Sequence, residues 1–398
     1  MEESRHNHSM QSKNPYKSVM LTISKITRAF LFVIVCFFLN TTTLSGQGWG
    51  LSDSTIQVMK EQYNTTDNDT LRLQSAWGLS LYYVTSQIDS ARQYFQASYE
   101  ASTDLNYPLG MAGSSSLVGY MYYLLGDYKS AYQWINISKS HIDQIEENNE
   151  DPIFHLLNIG NIWANLIEVT HGLRSQIEQI TGQIYYSVGM YEEALVHQQL
   201  NVGHLEKTTN IGFLGRAQWN VGTIYLSMDE LEKAEDYLLE ANKNIDDNDT
   251  YKGSALVDLA SLERLKGNHS LSLEYIQESF HFNKKNSNYS GIADGHHALG
   301  RYYYDQGDYD KSIAEYITAD EIDKKINPNY KGYNSMLGRA KCYKAKGELA
   351  KAFALNTEGQ RLKAESEAER KKSAHAFHRY ILEQKDELQE EHIEVEKI

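Results

Sequence analysis

Histidine pairs are the first places to look for chemistry in this chain. His296 and His297 are adjacent, and His375 and His378 sit three apart in His-Ala-Phe-His. Histidines at i and i+3 on a helix share a face and can share a metal ion, but a site needs a third ligand. One turn beyond His378 the same face offers Leu382, which cannot coordinate. The ligand count therefore assigns both pairs to solvated or core positions. The sequence holds no nucleophile elbow, Walker motif, dinucleotide-binding glycine run or His-Glu-x-x-His. Cys36 lies in an N-terminal apolar run, so a processed chain keeps Cys342 alone, as a small buried hydrophobe. No enzyme, cofactor or metal is indicated, and recognition is the chemistry that remains. With 38 Lys and Arg against 53 Asp and Glu, the formal charge is −15. Phosphates would be repelled, which argues against non-specific nucleic-acid binding.

The elements that position any recognition surface follow from a repeat. Gly119 to Ala131 reads Gly-Tyr-Met-Tyr-Tyr-Leu-Leu-Gly-Asp-Tyr-Lys-Ser-Ala. The same arrangement returns at Gly182, Tyr185, Gly189 and Ala194; at Gly222, Tyr225 and Ala234; and at Gly300, Tyr303, Gly307 and Ser312. Looser copies use Leu79, Tyr82 and Ala91; Ala260, Gly267 and Ser272; and Ala340, Tyr343, Gly347 and Ala352. The signature sites 79, 119, 182, 222, 260, 300 and 340 step by about 40 residues, except for a longer step between 119 and 182. The small first residue lets two helices approach closely, and the tyrosine one turn later fills the space between them. Gly-Asp-Tyr closes the first helix, with glycine in the left-handed position and aspartate able to cap the second. The small residue twelve after the signature site packs helix B on helix A. The expectation is an all-α protein, an α-solenoid of about seven helix pairs.

In these motifs the chain resembles the tetratricopeptide repeat family, over residues 67–361. It departs from the family pattern in several places. No tryptophan stands four before the signature glycine, Glu263 replaces a tyrosine, and no proline closes the units. Spacing near 40 implies longer helices or loops in each unit. The resemblance implies that helix A lines a concave groove with the sites three before and one, four and five after the signature residue. Those sites give Tyr120 and Tyr123; Gln179, Gln183 and Tyr186; Trp219, Asn220 (one site on) and Thr223. Further along they give Ser261 and Arg264; His297, Arg301 and Tyr304; and Lys341 and Lys344. The N-terminal half of this groove is aromatic and amide-rich, and the C-terminal half is cationic. Such a surface suits an extended peptide with an acidic group or a terminal carboxylate. The bland alternative is that these polar sites are simply solvated. The two-carboxylate clamp of some family members does not map here, and only Asn220 occupies a matching site.

The ends differ in material. A basic N-terminal region, the apolar run from Ala29 to Leu39 and a small-residue stretch from Asn40 to Gly48 read as a signal peptide over 1–46, or as an uncleaved membrane anchor. Residues 47–66 read as an amphipathic capping helix, and 152–180 as an inserted or extended helical segment, irregular with respect to the repeat. Residues 362–398 are charged and free of glycine and proline. Ala374, Ile381, Leu388 and Val395 recur every seven, with Phe377 and Ile398 beside them, while Gln384 and Glu391 take the other core column. This is half a coiled-coil seam able to self-associate, or a solvated helix extending the last repeat.

Two functions fit. One is an exported, periplasmic or extracellular scaffold that binds a protein or peptide in the groove. The other rests on likeness to the sensory portion of bacterial membrane sensors, whose repeats precede a transmembrane helix and a kinase or DNA-binding output domain. The output would then be missing or carried by a separate signalling partner.

Overall fold

A computed structural model describes residues 53–84, 86–145, 166–327 and 330–395, with side chains up to Asp386. The expected signal segment, residues 152–165 of the irregular stretch, and Ile398 lie outside the described residues. Among the described residues there are fifteen helices and no strand. A capping helix α1 (Asp53–Thr65) precedes seven helix pairs: α2 (Asp69–Tyr83) with α3 (Ile88–Asp104), α4 (Pro108–Leu124) with α5 (Tyr128–Ile142), and α6 (Leu166–Ser187) with α7 (Tyr191–Leu205). Then follow α8 (Ile211–Ser227) with α9 (Leu231–Asn244), α10 (Tyr251–Leu265) with α11 (His269–Lys285), α12 (Tyr289–Asp305) with α13 (Tyr309–Ile326), and α14 (Tyr333–Ala345) with α15 (Leu349–Val395). Each helix packs on its pair partner and on the neighbouring pair, as in a solenoid.

Every signature site falls on the first helix of a pair. The small residues there are forced by close approach: a Cβ on Gly119 would lie 3.0 Å from the Ala131 carbonyl oxygen, and one on Gly222 would lie 2.7 Å from Leu238 Cγ. The facing alanines Ala131, Ala194 and Ala234 are wholly buried. Where serine replaces alanine, its hydroxyl is satisfied across the same contact. Ser272 Oγ donates to the Ala260 carbonyl at 2.8 Å and Ser312 Oγ to the Gly300 carbonyl at 2.6 Å. Those bonds remove the cost of burying a hydroxyl in a packing seam.

The turns behave as the motif requires. Gly126 takes φ 76°, Asp127 accepts from the Ser130 N–H at 3.1 Å, and Asp308 accepts from the Lys311 N–H at 3.3 Å. Unit four lacks the glycine and places Asp229 at φ 61° instead. The 40-residue spacing is met by long helices, with 17 residues in α4, α8 and α12. Residues 166–180 of the expected inserted or extended helical segment are the first part of the 22-residue helix α6. One repeat feature escaped the motif. Lys233, Lys311 and Lys351, each just before the small residue of helix B, hold Nζ 5.2 Å from the ring centres of Tyr225, Tyr303 and Tyr343.

At the N-terminus Ile56 and Met59 of α1 are buried on Leu79, covering the apolar face of the first pair. No described helix is long and apolar enough to cross a membrane. At the other end, helix B of the seventh unit runs on without a break, giving α15 a length of 47 residues. Part of its distal length is seated on the solenoid. Phe377 is wholly buried and Ile381 nearly so, against the second and third units. Phe377 meets Tyr132 and Tyr185 edge-on, with ring centres 5.5 and 5.4 Å apart. His378 Nε2 lies 3.0 Å from Met190 Sδ, and Lys129 Nζ sits 5.4 Å from the Tyr380 ring centre. Burial of Phe377 and Ile381 contributes roughly 1.5–3 kcal/mol each before ordering costs. Of the heptad column, Ile381 packs with Phe377 on the chain's own solenoid, and the side chains of Leu388 and Val395 lie outside the described residues.

Candidate binding groove

The helices A of units four to seven and the start of α15 enclose an open groove of ≈ 930 Å³. Of the residues read from the sequence, Trp219, His297, Arg301 and Lys341 line it, together with Ser261. These are the sites three before and one after the signature residue. The sites four and five after it do something else: they join consecutive helices A. Tyr123 Oη lies 3.3 Å from Ser187 Oγ, Tyr186 Oη 2.9 Å from Ser227 Oγ, and Arg264 Nη1 donates to Asp305 Oδ2 at 2.9 Å. Arg264 is thus committed to a neighbour. Tyr304 packs with Tyr309, Tyr316 and Cys342, and Lys344 is exposed outside the groove.

The N-terminal half of the expected groove is largely filled. Tyr120 is buried and stacks on Tyr123 at 5.9 Å. Gln183, Trp219 and Asn220 border a separate small cavity of ≈ 40 Å³ beside Gln179, Asn201 and Arg216. Thr223 is drawn to the wall of the larger groove, its Oγ1 3.0 Å from Asp258 Oδ2.

Three carboxylates that the sequence reading passed over define the groove's electrostatics: Asp258, Asp294 and Asp323. Asp294 lies six before the signature site, so extending the groove face by another turn of helix A would have found it, whereas Asp258, two before, lies beside a site already read. Asp323 is on helix B and had no signal in the repeat pattern. Trp219 Nε1 donates to Asp258 Oδ2 at 2.8 Å, and His297 Nε2 lies 3.2 Å from Asp323 Oδ2. Burial pushes the Asp258 carboxyl up despite these donors. Asp294 reaches groove water, yet the surrounding walls withdraw it from bulk solvent and burial pushes its carboxyl up to about 6. Burial likewise lowers the Arg301 guanidinium.

Among the described residues, Asp294, Arg301 and Lys341 form no hydrogen bond or ion pair. Asp294 and Arg301 stand two helical turns apart on one face of α12, about 10 Å at the helical rise. The cationic half-groove expected from sequence is therefore a polarised one. Asp294 lies in the N-terminal half and Asp258 at the middle of a helix A, Asp323 is on a helix B, and Arg301 and Lys341 lie in the C-terminal halves of helices A. The α15 wall adds Asn356, Gln360 and Lys363.

The histidine pairs diverge. His296 Nδ1 lies 2.6 Å from Glu315 Oε2, on a different carboxylate from that of His297, and His375 is exposed while His378 faces Met190. Among the described residues no three His, Cys, Asp or Glu side chains are placed to hold one metal ion. Cys342 is buried, with Sγ 3.1 Å from Ser312 Oγ, and burial pushes its thiol up.

The family description "Tetratricopeptide repeat" matches residues 215–247 and 293–326, units four and six of the solenoid. The chain carries tetratricopeptide repeats. Solved structures of similar fold include the apo quorum sensor NprR from B. thuringiensis, 13% identical with a TM-score of 0.61, covering 87% of this chain and 92% of that one. A Rap protein complexed with competence and sporulation factor is 12% identical with a TM-score of 0.60, covering 90% and 89%. Apo RapI is 13% identical with a TM-score of 0.57, covering 75% and 99%. No curated protein sequence matches this chain. These neighbours share the fold of this chain.

Proposed function

We propose that this protein is a non-catalytic scaffold that binds an extended peptide segment in the groove of units four to seven. The observation that carries the reading is the unpartnered, opposite pair Asp294 and Arg301, both in the open groove. Leaving the half-buried Arg301 without a counter-charge costs free energy that a ligand carboxylate recovers, while Asp294, exposed in the groove, is open to a ligand cation. An extended chain rises about 3.4 Å per residue, so the separation of about 10 Å matches a cationic group and a carboxylate roughly three residues apart. Arg301 and Lys341 take the carboxylate, Asp294 takes the cation, and groove amides such as Asn334 and Gln360 are available to the peptide backbone. A solved neighbour is complexed with competence and sporulation factor, which supports a peptide as the ligand class.

The test uses the full chain and a pooled hexapeptide library with free ends. Retained sequences should be enriched in a basic group and an acidic group, or two free ends, at this spacing. Arg301→Glu and Asp294→Lys should each reduce retention about tenfold. Retention that is indifferent to both substitutions would remove the groove from consideration.

The place of action belongs to the same proposal: the basic, apolar and small-residue order of residues 1–46 supports export, with or without retention at the membrane. As a sensory input, the protein would pass groove occupancy to a separate signalling partner. Fractionation of cells expressing the full chain decides the compartment.

A further inference from the structure

Helix α15 takes part in two distant places. Near its start it lines the groove through Asn356, Gln360 and Lys363, and it is seated on α14 where Gly359 lies against Leu337 and Met336. Eighteen residues later, about 27 Å at the helical rise, Phe377 is enclosed by Tyr132 and Tyr185 of units two and three. Between these supports Ala364, Glu365, Ala368 and Arg370 are exposed. The span is kept helical by i,i+4 ion pairs, Arg361 with Glu365 and Lys363 with Glu367. A helix supported at both ends and free in the middle transmits a tilt at one end to the other.

The socket is built to be vacated. Tyr185 is the signature tyrosine of unit three and also stacks on His197, with ring centres 5.2 Å apart, a contact that does not involve the tail. Tyr132 also meets Tyr185 directly, at 6.2 Å. Loss of Phe377 therefore uncovers an aromatic pair without dismantling a repeat.

We propose that α15 is a clasp, in which docking of Phe377 in the Tyr132–Tyr185 socket and binding of a peptide in the groove strengthen one another. Ligand contacts to Gln360 and Lys363 hold α15 in the orientation that brings Phe377 to its socket. Undocking lets the helix pivot about Gly359 and withdraws Lys363 from the groove wall. The coupling is reciprocal by linkage: docking strengthens peptide binding by the same factor by which bound peptide strengthens docking. This inference rests on the groove being a peptide site, so the experiment separates docking from coupling.

Hydrogen exchange of the full chain reads docking directly, and retention of the pooled hexapeptide library reads coupling. Phe377→Asp should speed exchange across residues 371–386 by tenfold or more while leaving the repeat helices unchanged. It should also lower library retention about fivefold or more. The pair Met190→Cys with His378→Cys, oxidised, should restrain the tail and keep retention at or above the wild-type value, and reduction should remove the excess. Equal exchange in wild type and Phe377→Asp would overturn the docking. Faster exchange with unchanged retention would overturn the coupling. Absence of any retention by the wild type would remove the peptide-groove reading and the coupling with it, while exchange alone would still decide the docking.

Discussion

Two arginines on the inner helices show opposite solutions to the same physical problem. Arg216, in unit four, is buried and meets Asp249 from the following loop, with Nε donating at 2.7 Å and Nη2 bonded to the same oxygen. The rings of Tyr251 and Phe213 flank its guanidinium at 4.8 and 5.6 Å. Arg301, in unit six, is also withdrawn from water but has no such carboxylate. Burial lowers its guanidinium, and Tyr316, Arg264, Asp294 and Asp258 act on it through space without pairing with it. A closed pair joins two units of the solenoid; an open charge at the surface of a groove leaves its counter-charge to a ligand. The difference is one of position, since the loop after α9 folds back onto Arg216 and, among the described residues, no carboxylate closes on Arg301.

The largest expected effect breaks the closed pair. Asp249→Ala leaves Arg216 buried without its carboxylate and should lower stability by roughly 3–5 kcal/mol, read from urea unfolding. Arg301→Leu, measured in the same way, should leave the midpoint unchanged or raise it slightly, because no pair is lost. If Asp249→Ala cost under about 1 kcal/mol, the two arginines would be equivalent and the distinction would collapse.

A smaller effect concerns pH. The folded-state carboxyl of Asp294 is raised to about 6, above the ordinary value near 4 for an unfolded aspartate. The folded protein therefore binds this proton more tightly, so the associated stability is complete at low pH and is lost as pH rises from about 4 to about 6. Asp294→Asn should consequently be more stable than wild type above pH 6, by no more than about 1 kcal/mol after solvent screening. The two should converge near pH 4. An equal difference at both pH values would show that Asp294 is as solvated as any surface carboxylate.

The smallest effect lies outside both regions and serves as a control. Asp229→Gly, at φ 61°, should stabilise the fold by about 0.5 kcal/mol by relieving a left-handed aspartate. It should leave peptide retention untouched.

The repeat architecture was legible because each signature residue answers a local packing demand. Gly119 and Gly222 have no room for a Cβ, Ala131 and Ala234 are fully enclosed, and Gly126 and Gly307 take left-handed turns. Half of the candidate site was legible for the same reason, since the sites of Trp219, His297, Arg301 and Lys341 follow from helical periodicity. Arg264 was misplaced because its partner, Asp305, lies in the next unit and nothing local announces it. Asp294 was missed because the face was read over too few turns. Asp323 and Lys363 belong to helices B, whose contribution to the groove depends on how the solenoid curves. The socket for Phe377 lies almost two hundred and fifty residues earlier in the chain, at Tyr132, a separation that no heptad pattern encodes.

The central claim is that Arg301 waits for a carboxylate that a peptide supplies. The direct measurement is a double-mutant cycle on one hexapeptide retained from the pooled library, with its carboxylate intact or converted to the amide, against wild type and Arg301→Leu. A direct pairing predicts that amidation weakens binding to wild type about tenfold and barely affects binding to Arg301→Leu. Equal losses in both proteins would place the carboxylate elsewhere and contradict the account.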